Sequence, residues 1–477
     1  DNRTNNTISK LLECVDLDGV REHQAAFQAI ADANGDTRAS GTPGYDASVD
    51  YVVERMAEAG YDVTVQEFEF SFFDEDSALE RISPAPRVYQ DQVTYDTMTF
   101  SGEGDVTAQL EAVDLALADP TTSSSACEAS DFAGFTAGNI ALAQRGACAF
   151  GLKEANAAAA GAAGIIIMNQ GDDPDDPART GLLFGTLGAQ GTIPAMGISF
   201  FDGVELADLL ASGDVTMRMF VDVESGIRTS FNVLAETQQG DTDNVVMVGA
   251  HLDSVTRGPG INDNGSGSAA ILEVAEQMAK VKPTNQVRFA WWGSEEFGLL
   301  GSSHYVAQLS EAELDEIALY LNFDMVGSPN YVRFIYDGDG SAFGLVGPDG
   351  SDDIEAFFED FYAERELASE PSEISFRSDY AAFFTAGIPF GGLFTGAEGI
   401  KTPEQAAVYG GTAGQQYDPC YHQACDTLDN VSLEVLDLNS DAIAAATLTY
   451  AMNTESINEQ SGKGNFKPDQ MGPEPRA

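Results

Sequence analysis

Positive charge is scarce in this chain. Lys and Arg number 23 against 77 Asp and Glu, for a formal net charge of -54 at pH 7. Nucleic acids and anionic membrane surfaces would repel such a protein, which argues against both as partners. The acidic excess favours solubility and tolerance of salt, which screens self-repulsion, and so points to a marine or halophilic origin. An acidic secreted enzyme would carry the same signature. Long apolar runs are also missing. The longest, Ala157 to Met168, is rich in Ala and Gly and is shorter than the roughly 18 residues of a membrane span. The first residues are polar and show no leader pattern, as expected of a mature or trimmed form.

Cysteine is sparse, with five residues, but four of them fall in two local pairs. Joining Cys127 to Cys148 and Cys420 to Cys425 closes two short loops, implies an oxidising compartment and leaves Cys14 over. Five buried thiols in a cytosolic protein are the alternative. Of the four histidines, His23 and His304 read as ordinary packing residues.

What is present divides into three zones and a tail. Residues 8–81 show helical periodicity around Leu11, Val15, Val20, Phe27 and Ile30, and then turn signals at Asn34-Gly35 and Gly41-Thr42-Pro43-Gly44. A second helix is expected from Ala47 to Glu58, capped by Gly60, and an alternating strand from Tyr61 to Phe68. Residues 82–227 read as an inserted β-rich module with one helix, Leu152 to Ala163, followed by a buried strand at Ile165 to Met168. Residues 228–454 alternate strands and helices, so the first and third zones together are expected to form an α/β domain with a mixed central sheet flanked by helices. The polar tail, 455–477, has little to bury and is expected to be disordered or trimmed.

The reactive side chains fall at strand ends. His251 follows the expected strand Asn244 to Ala250, and Asp324 follows Leu319 to Phe323. Glu295 and Glu296 follow Gln286 to Trp292 after Gly293 and Ser294. In α/β sheets, ligands bind outside the carboxyl ends of the strands. Asp263 lies in a Gly-rich loop just before a helix, and His422 sits between two cysteines. Two imidazoles and three carboxylates suit zinc. Five ligands are too many for one catalytic zinc with an open position, but they suit two metals sharing a carboxylate, with Asp263 as the bridge. One of the adjacent glutamates would bind metal and the other would move a proton. Asp253 is expected to orient the His251 ring.

Several motifs resemble the secreted two-zinc aminopeptidases of the Streptomyces type: His251-Leu252-Asp253-Ser254, Gly260-Ile261-Asn262-Asp263-Asn264-Gly265, Trp291-Trp292-Gly293-Ser294-Glu295-Glu296 and Asn322-Phe323-Asp324-Met325. The likeness extends through Arg377-Ser378-Asp379, Gly391 to Gly396, Cys420-Tyr421-His422 with Cys425, and the early stretch Arg38 to Tyr45. Residues Arg145 to Phe150, Lys153 and Gly164 to Ile167 resemble a protease-associated domain, inserted as in enzymes like vacuolar aminopeptidase Y. The resemblance implies a zinc exopeptidase fold and peptide substrates with a free N-terminus. By position it places His251 and Asp324 on one zinc and Glu296 and His422 on the other, with Asp263 bridging. It makes Glu295 the catalytic base and Tyr421 the oxyanion donor, and puts Met325, Arg377 and Phe394 in a pocket for large apolar residues. It also raises a calcium site at Asp437 and Asp441, and implies a monomer acting outside the cell or in the periplasm. Two rivals share the fold: a carboxypeptidase of the glutamate carboxypeptidase kind, which needs a cationic pocket, and a catalytically dead binding protein, which predicts broken metal motifs.

Overall fold

The computed structural model describes residues 4–174 and 176–459. Most of the expected tail, residues 460–477, lies outside the described residues, whereas its first residues form a short helix, Glu455–Asn458. The chain forms two compact units, residues 1–70 with 228–477 and residues 71–227. No helix among the described residues is long and apolar enough to cross a membrane.

In the first unit the chain opens with the helices Ile8–Leu12 and Leu17–Ala33, the second begun by Asp16, whose carboxylate accepts the Gly19 N–H. The next helix starts earlier than its periodicity suggests, at Pro43, because proline suits a first helical turn that needs no N–H. It ends at Gly60, whose left-handed φ of 92° closes the helix. The expected strand at Tyr61 to Phe68 runs much further, over Asp62–Ser83, with Phe68, Phe70 and Phe72 continuing the buried alternation.

The sheet of this unit places four parallel strands side by side: Phe390–Phe394, Ile317–Phe323, Asp241–His251 and Asn285–Trp292. Antiparallel partners flank them, Phe334–Tyr336 beside Phe390–Phe394 and Val233 to Glu236 beside Asn285–Trp292. Edge strand Glu370–Ser372 runs parallel to Phe334–Tyr336. Because the four central strands share one direction, their carboxyl ends meet at one edge. The helices Gly265–Met278 and Leu433–Met452 are buried over most of their length, being rich in apolar and small residues. Gly267 permits the first of these to approach the sheet, since a Cβ there would lie 2.2 Å from the Phe323 carbonyl oxygen.

The second unit is β-rich, as expected, and carries a second long helix besides the expected one. Gly104–Ala112, Ile140–Gln144, Gly164–Met168 and Ala195–Ile198 form a parallel sheet, bordered antiparallel by Thr216 to Val221 and Tyr95–Thr97. The helix expected at Leu152 to Ala163 spans Phe150–Ala159, and a further helix, Phe200–Ser212, packs on the same sheet. Both disulfides form, Cys127–Cys148 and Cys420–Cys425, leaving Cys14 as a free thiol.

Candidate metal centre

The carboxyl edge of the four parallel strands gathers the reactive side chains. His251 is the last residue of its strand and pairs in register with Trp292 of the neighbour. Asp324 follows the strand ending at Phe323, and Glu295 and Glu296 follow the one ending at Trp292 after a turn through Ser294 at φ 53°. Met325 and His422 also adopt positive φ, 56° and 57°. Such non-glycine conformations cost about 1 kcal/mol or more each and persist where the surrounding structure imposes them.

Asp263 occupies the centre. Its Oδ1 lies 3.3 Å from His251 Nε2, and its Oδ2 lies 3.3 Å from His422 Nε2. Asp324 Oδ1 is 3.3 Å from the same nitrogen of His251, and Glu296 Oε2 is 3.1 Å from that of His422. The donors thus form two triads, His251–Asp263–Asp324 and Asp263–Glu296–His422, joined through Asp263. Glu295 Oε2 stands 3.9 Å from His251 Nε2, and His251, Glu295 and Glu296 form a further grouping.

Four carboxylates face two imidazoles here. Asp263 and Glu295 are buried, and Glu296 and Asp324 nearly so. Burial pushes Glu295 and Glu296 up, and the neighbouring carboxylates add to this. Burial would lower both imidazoles, but the carboxylates more than offset it, Glu295 and Asp324 around His251 and Glu296 and Asp263 around His422. His422 is raised to about 10. Asp263 is pulled down against burial by hydrogen bonds from the two rings. Glu296 Oε1 and Asp324 Oδ1 are buried and make no hydrogen bond among the described residues. Excess buried negative charge with orphaned oxygens needs cations, and a donor set of imidazole nitrogens and carboxylate oxygens fits zinc.

The ligand loops are held by residues that strand-end reasoning did not single out. Ser378 donates to Asp324 Oδ2 at 2.6 Å. Asn264 Oδ1 accepts the N–H groups of Gly267 and Met325, and its Nδ2 donates to the Phe323 carbonyl, clamping the Asp324 turn to a helix start. Its place just before that helix is an N-cap signal legible in the sequence. Asp426 accepts the N–H groups of Asn262 and Asp263, at 2.9 and 3.0 Å. The Arg38 guanidinium, fully buried, donates to the carbonyls of Leu252, Pro259 and Gly260. Asp379 is buried nearby, and that burial pushes it up to about 7.

Asp253 meets the His251 ring more closely through its backbone than through its carboxylate. The nearest acceptor to His251 Nδ1 is the Asp253 backbone carbonyl, at 3.0 Å, whereas Oδ1 stands off at 3.7 Å. That Oδ1 instead accepts the Glu295 N–H at 3.2 Å, so Asp253 orients both residues. Asp437 and Asp441 lie on the helix Leu433–Met452, and the metal-type clusters among the described residues do not include them.

A cavity of about 110 Å³ opens at this edge. Asp263, Glu295, Glu296, Asp324 and Tyr421 line it together with Met325, Tyr336, Tyr380, Phe394 and Ala397. Arg377 also lines it, pairing with Glu398 at 2.6 Å and donating to the Tyr421 hydroxyl at 3.3 Å. The Tyr421 ring stacks on His422 at 3.8 Å. Burial, reinforced by Asp263 and Glu296, keeps the Tyr421 hydroxyl protonated as a donor.

Two imidazoles and four carboxylates, gathered at the carboxyl edge of an α/β sheet and facing a cavity, define a metal-dependent hydrolase. A family model described as Peptidase family M28 matches residues 232–447, and one described as PA domain matches residues 106–206. An aminopeptidase of Pseudomonas aeruginosa is 50% identical over 454 residues, covering 94% of this chain and 84% of that protein. Leucine aminopeptidase 2 of Trichophyton rubrum is 48% identical over 348 residues, 72% of this chain and 68% of that protein. BSAP, a zinc aminopeptidase from Bacillus subtilis, aligns with a TM-score of 0.62 and 26% identity, over 90% of this chain and 94% of that one. The chain belongs to peptidase family M28, as a zinc-dependent aminopeptidase carrying an inserted PA domain.

Proposed function

We propose that this chain is a secreted, monomeric aminopeptidase that uses two zinc ions to remove large apolar residues from the free N-terminus of peptides. The observation that carries the reading is the pair of donor triads sharing Asp263. His251 and Asp324 would hold one zinc and Glu296 and His422 the other, with one Asp263 oxygen facing each side. Zinc bound there would supply Lewis-acid polarisation of the scissile carbonyl and a lowered pKa for water.

The chain's own groups perform the remaining steps. Glu295 takes the proton of the attacking water and returns it to the leaving amine. Its place in the cavity wall, apart from the two triads, leaves it available for that transfer. The Tyr421 hydroxyl donates to the developing oxyanion, where a preorganised donor is worth most. The surplus of carboxylates around the triads attracts the substrate's terminal ammonium, which confines cleavage to chain ends. Met325, Phe394, Tyr336 and Tyr380 give the cavity apolar walls for the first side chain, in line with the leucine aminopeptidase named above. The two disulfides and the absence of a membrane-crossing helix among the described residues accord with secretion.

A carboxypeptidase would need an uncompensated cation for the substrate carboxylate. Arg377 is the basic residue of the cavity lining, and Glu398 already neutralises it. The decisive measurement combines zinc stoichiometry with hydrolysis of a leucine anilide and its N-acetylated form. Two zincs per chain, and turnover of the free amine alone, are expected. Saturation at one zinc, or equal turnover of the blocked substrate, overturns the reading.

A further inference from the structure

Hydrogen bonds run in series beneath the metal centre, from a core tryptophan to a ligand carboxylate. Trp292 Nε1 donates to the Tyr320 hydroxyl at 2.8 Å, and that hydroxyl donates to Asn322 Oδ1 at 2.9 Å. Asn322 Nδ2 donates to Ser378 Oγ at 2.9 Å, and Ser378 donates to Asp324 Oδ2 at 2.6 Å. Trp292, Tyr320, Asn322 and Ser378 are all buried. Asn322 Nδ2 also reaches the Tyr336 hydroxyl of the cavity wall, at 3.4 Å.

The direction of this series is fixed from both ends. An indole N–H can only donate, and a carboxylate ready to bind metal can only accept. With Trp292 donating to its oxygen, the Tyr320 hydroxyl turns its one hydrogen to Asn322, which sets the amide oxygen toward Tyr320 and the amide NH2 toward Ser378. An N–H arriving at Ser378 Oγ sends the serine's own hydrogen to Asp324. Burial keeps the Tyr320 hydroxyl protonated, and its ring is held by stacking on Phe383 at 3.9 Å. The series crosses the strand Asp241–His251 at Gly249, the register partner of Asn322. A Cβ there would lie 2.4 Å from the Tyr320 hydroxyl oxygen and 2.7 Å from Trp292 Nε1, so glycine leaves the room that the bonds need.

We infer that Asn322 is a positioning residue for the His251–Asp324 side of the metal centre: by donating to Ser378 it aims the serine hydroxyl at Asp324 Oδ2 and leaves Oδ1 for the metal, while Tyr320 and Trp292 set the amide's orientation. The inference rests on the two-zinc reading above and deepens it. Glu296 and His422 face each other on the other side of Asp263 and take no part in these bonds, so the effect falls on one zinc and not on the other. Hydrogen bonds in a buried series polarise one another, so removing an early member weakens the last.

The test is zinc affinity, read by competition with a chromogenic chelator, in Asn322→Leu and Tyr320→Phe, each alone and combined with Ser378→Ala. Asn322→Leu keeps the size of the amide and should weaken one of the two zincs about tenfold, the same one that Ser378→Ala weakens. Tyr320→Phe removes a single oxygen, keeps the ring packing and should weaken that zinc by less. Neither change should cost more than about twofold further once Ser378 is alanine, because the hydroxyl through which both act is gone. Equal loss at both zincs, or losses that multiply in the double variants, marks a general loosening of the fold and overturns the inference. So does an unchanged affinity in Asn322→Leu or, should that variant not fold, in Tyr320→Phe. Saturation of the wild-type chain at one zinc overturns the two-zinc reading itself.

Discussion

Ser378 donates its hydroxyl hydrogen to Asp324 Oδ2 at 2.6 Å, which leaves Oδ1 as the oxygen facing His251 Nε2. The serine therefore decides which way the carboxylate turns. Partners that fix a ligand's orientation typically contribute tenfold to a hundredfold in metal affinity. Ser378→Ala should weaken zinc binding about tenfold, more at one site than at the other. Competition with a chromogenic chelator would show two unequal affinities, and two unchanged affinities would contradict the assignment.

Glu295 is buried and held well above the usual carboxylate range, yet lies outside both triads. Glu295→Gln should keep zinc content and lose about a thousandfold in kcat, the scale of a missing proton-transfer group. Elemental analysis beside turnover of a leucine anilide checks both halves. Full activity at full zinc occupancy would refute the role.

Arg38 contributes to stability rather than chemistry. Its guanidinium satisfies the buried carbonyls of Leu252, Pro259 and Gly260, next to the loop that carries Asp263. Arg38→Met keeps the bulk but leaves the Leu252 and Pro259 carbonyls unpaired, Gly260 still accepting the Gly265 N–H. A loss of about 3 kcal/mol is expected, on the scale of a broken buried charged network. Urea unfolding of the zinc-loaded proteins measures it.

The disulfide Cys420–Cys425 closes the short loop that presents His422. Loop-closure entropy for so short a ring amounts to about 2 kcal/mol. The double variant Cys420→Ser, Cys425→Ser should lose about that much stability and release zinc faster, because His422 samples more positions. Chelator-driven release kinetics provide the readout, and an unchanged rate would mean that neighbouring contacts suffice.

Glu355 gives a pH dependence away from the metals. Burial, with Asp339, Glu359 and Asp337 adding, pushes it up to about 7, while the Asp339 N–H that it accepts at 2.9 Å opposes the shift. A carboxyl raised above its unfolded value of 4.5 contributes stability that is complete below pH 4.5 and is lost as pH rises through 7. Glu355→Gln keeps an acceptor for that N–H and removes the loss. It should be more stable than wild type at pH 8, by on the order of 1 kcal/mol after solvent screening, and should lose the advantage near pH 5. Thermal unfolding at the two pH values decides.

Periodicity located the central strands because each is a short apolar run ending at a polar residue, as at Ala250-His251 and Phe323-Asp324. It missed the strand Phe390–Phe394, where Gly391 and Gly392 carry no apolar signal, and the helices Leu300–Gln308 and Tyr380–Ala386, which are too short to show a period.

The order of residues along the chain determined which groups end the strands, since a strand stops where apolar alternation gives way to a residue that cannot be buried unpaired. That set the metal-binding residue types and the edge on which they lie. Only the tertiary structure decided how they face one another. The opposed oxygens of Asp263, the turn of Asp324 under Ser378 and the Asp253 contact with Glu295 all depend on segments distant in sequence. Such contacts leave no local pattern, because their energy comes from packing between elements and not from the residues beside them.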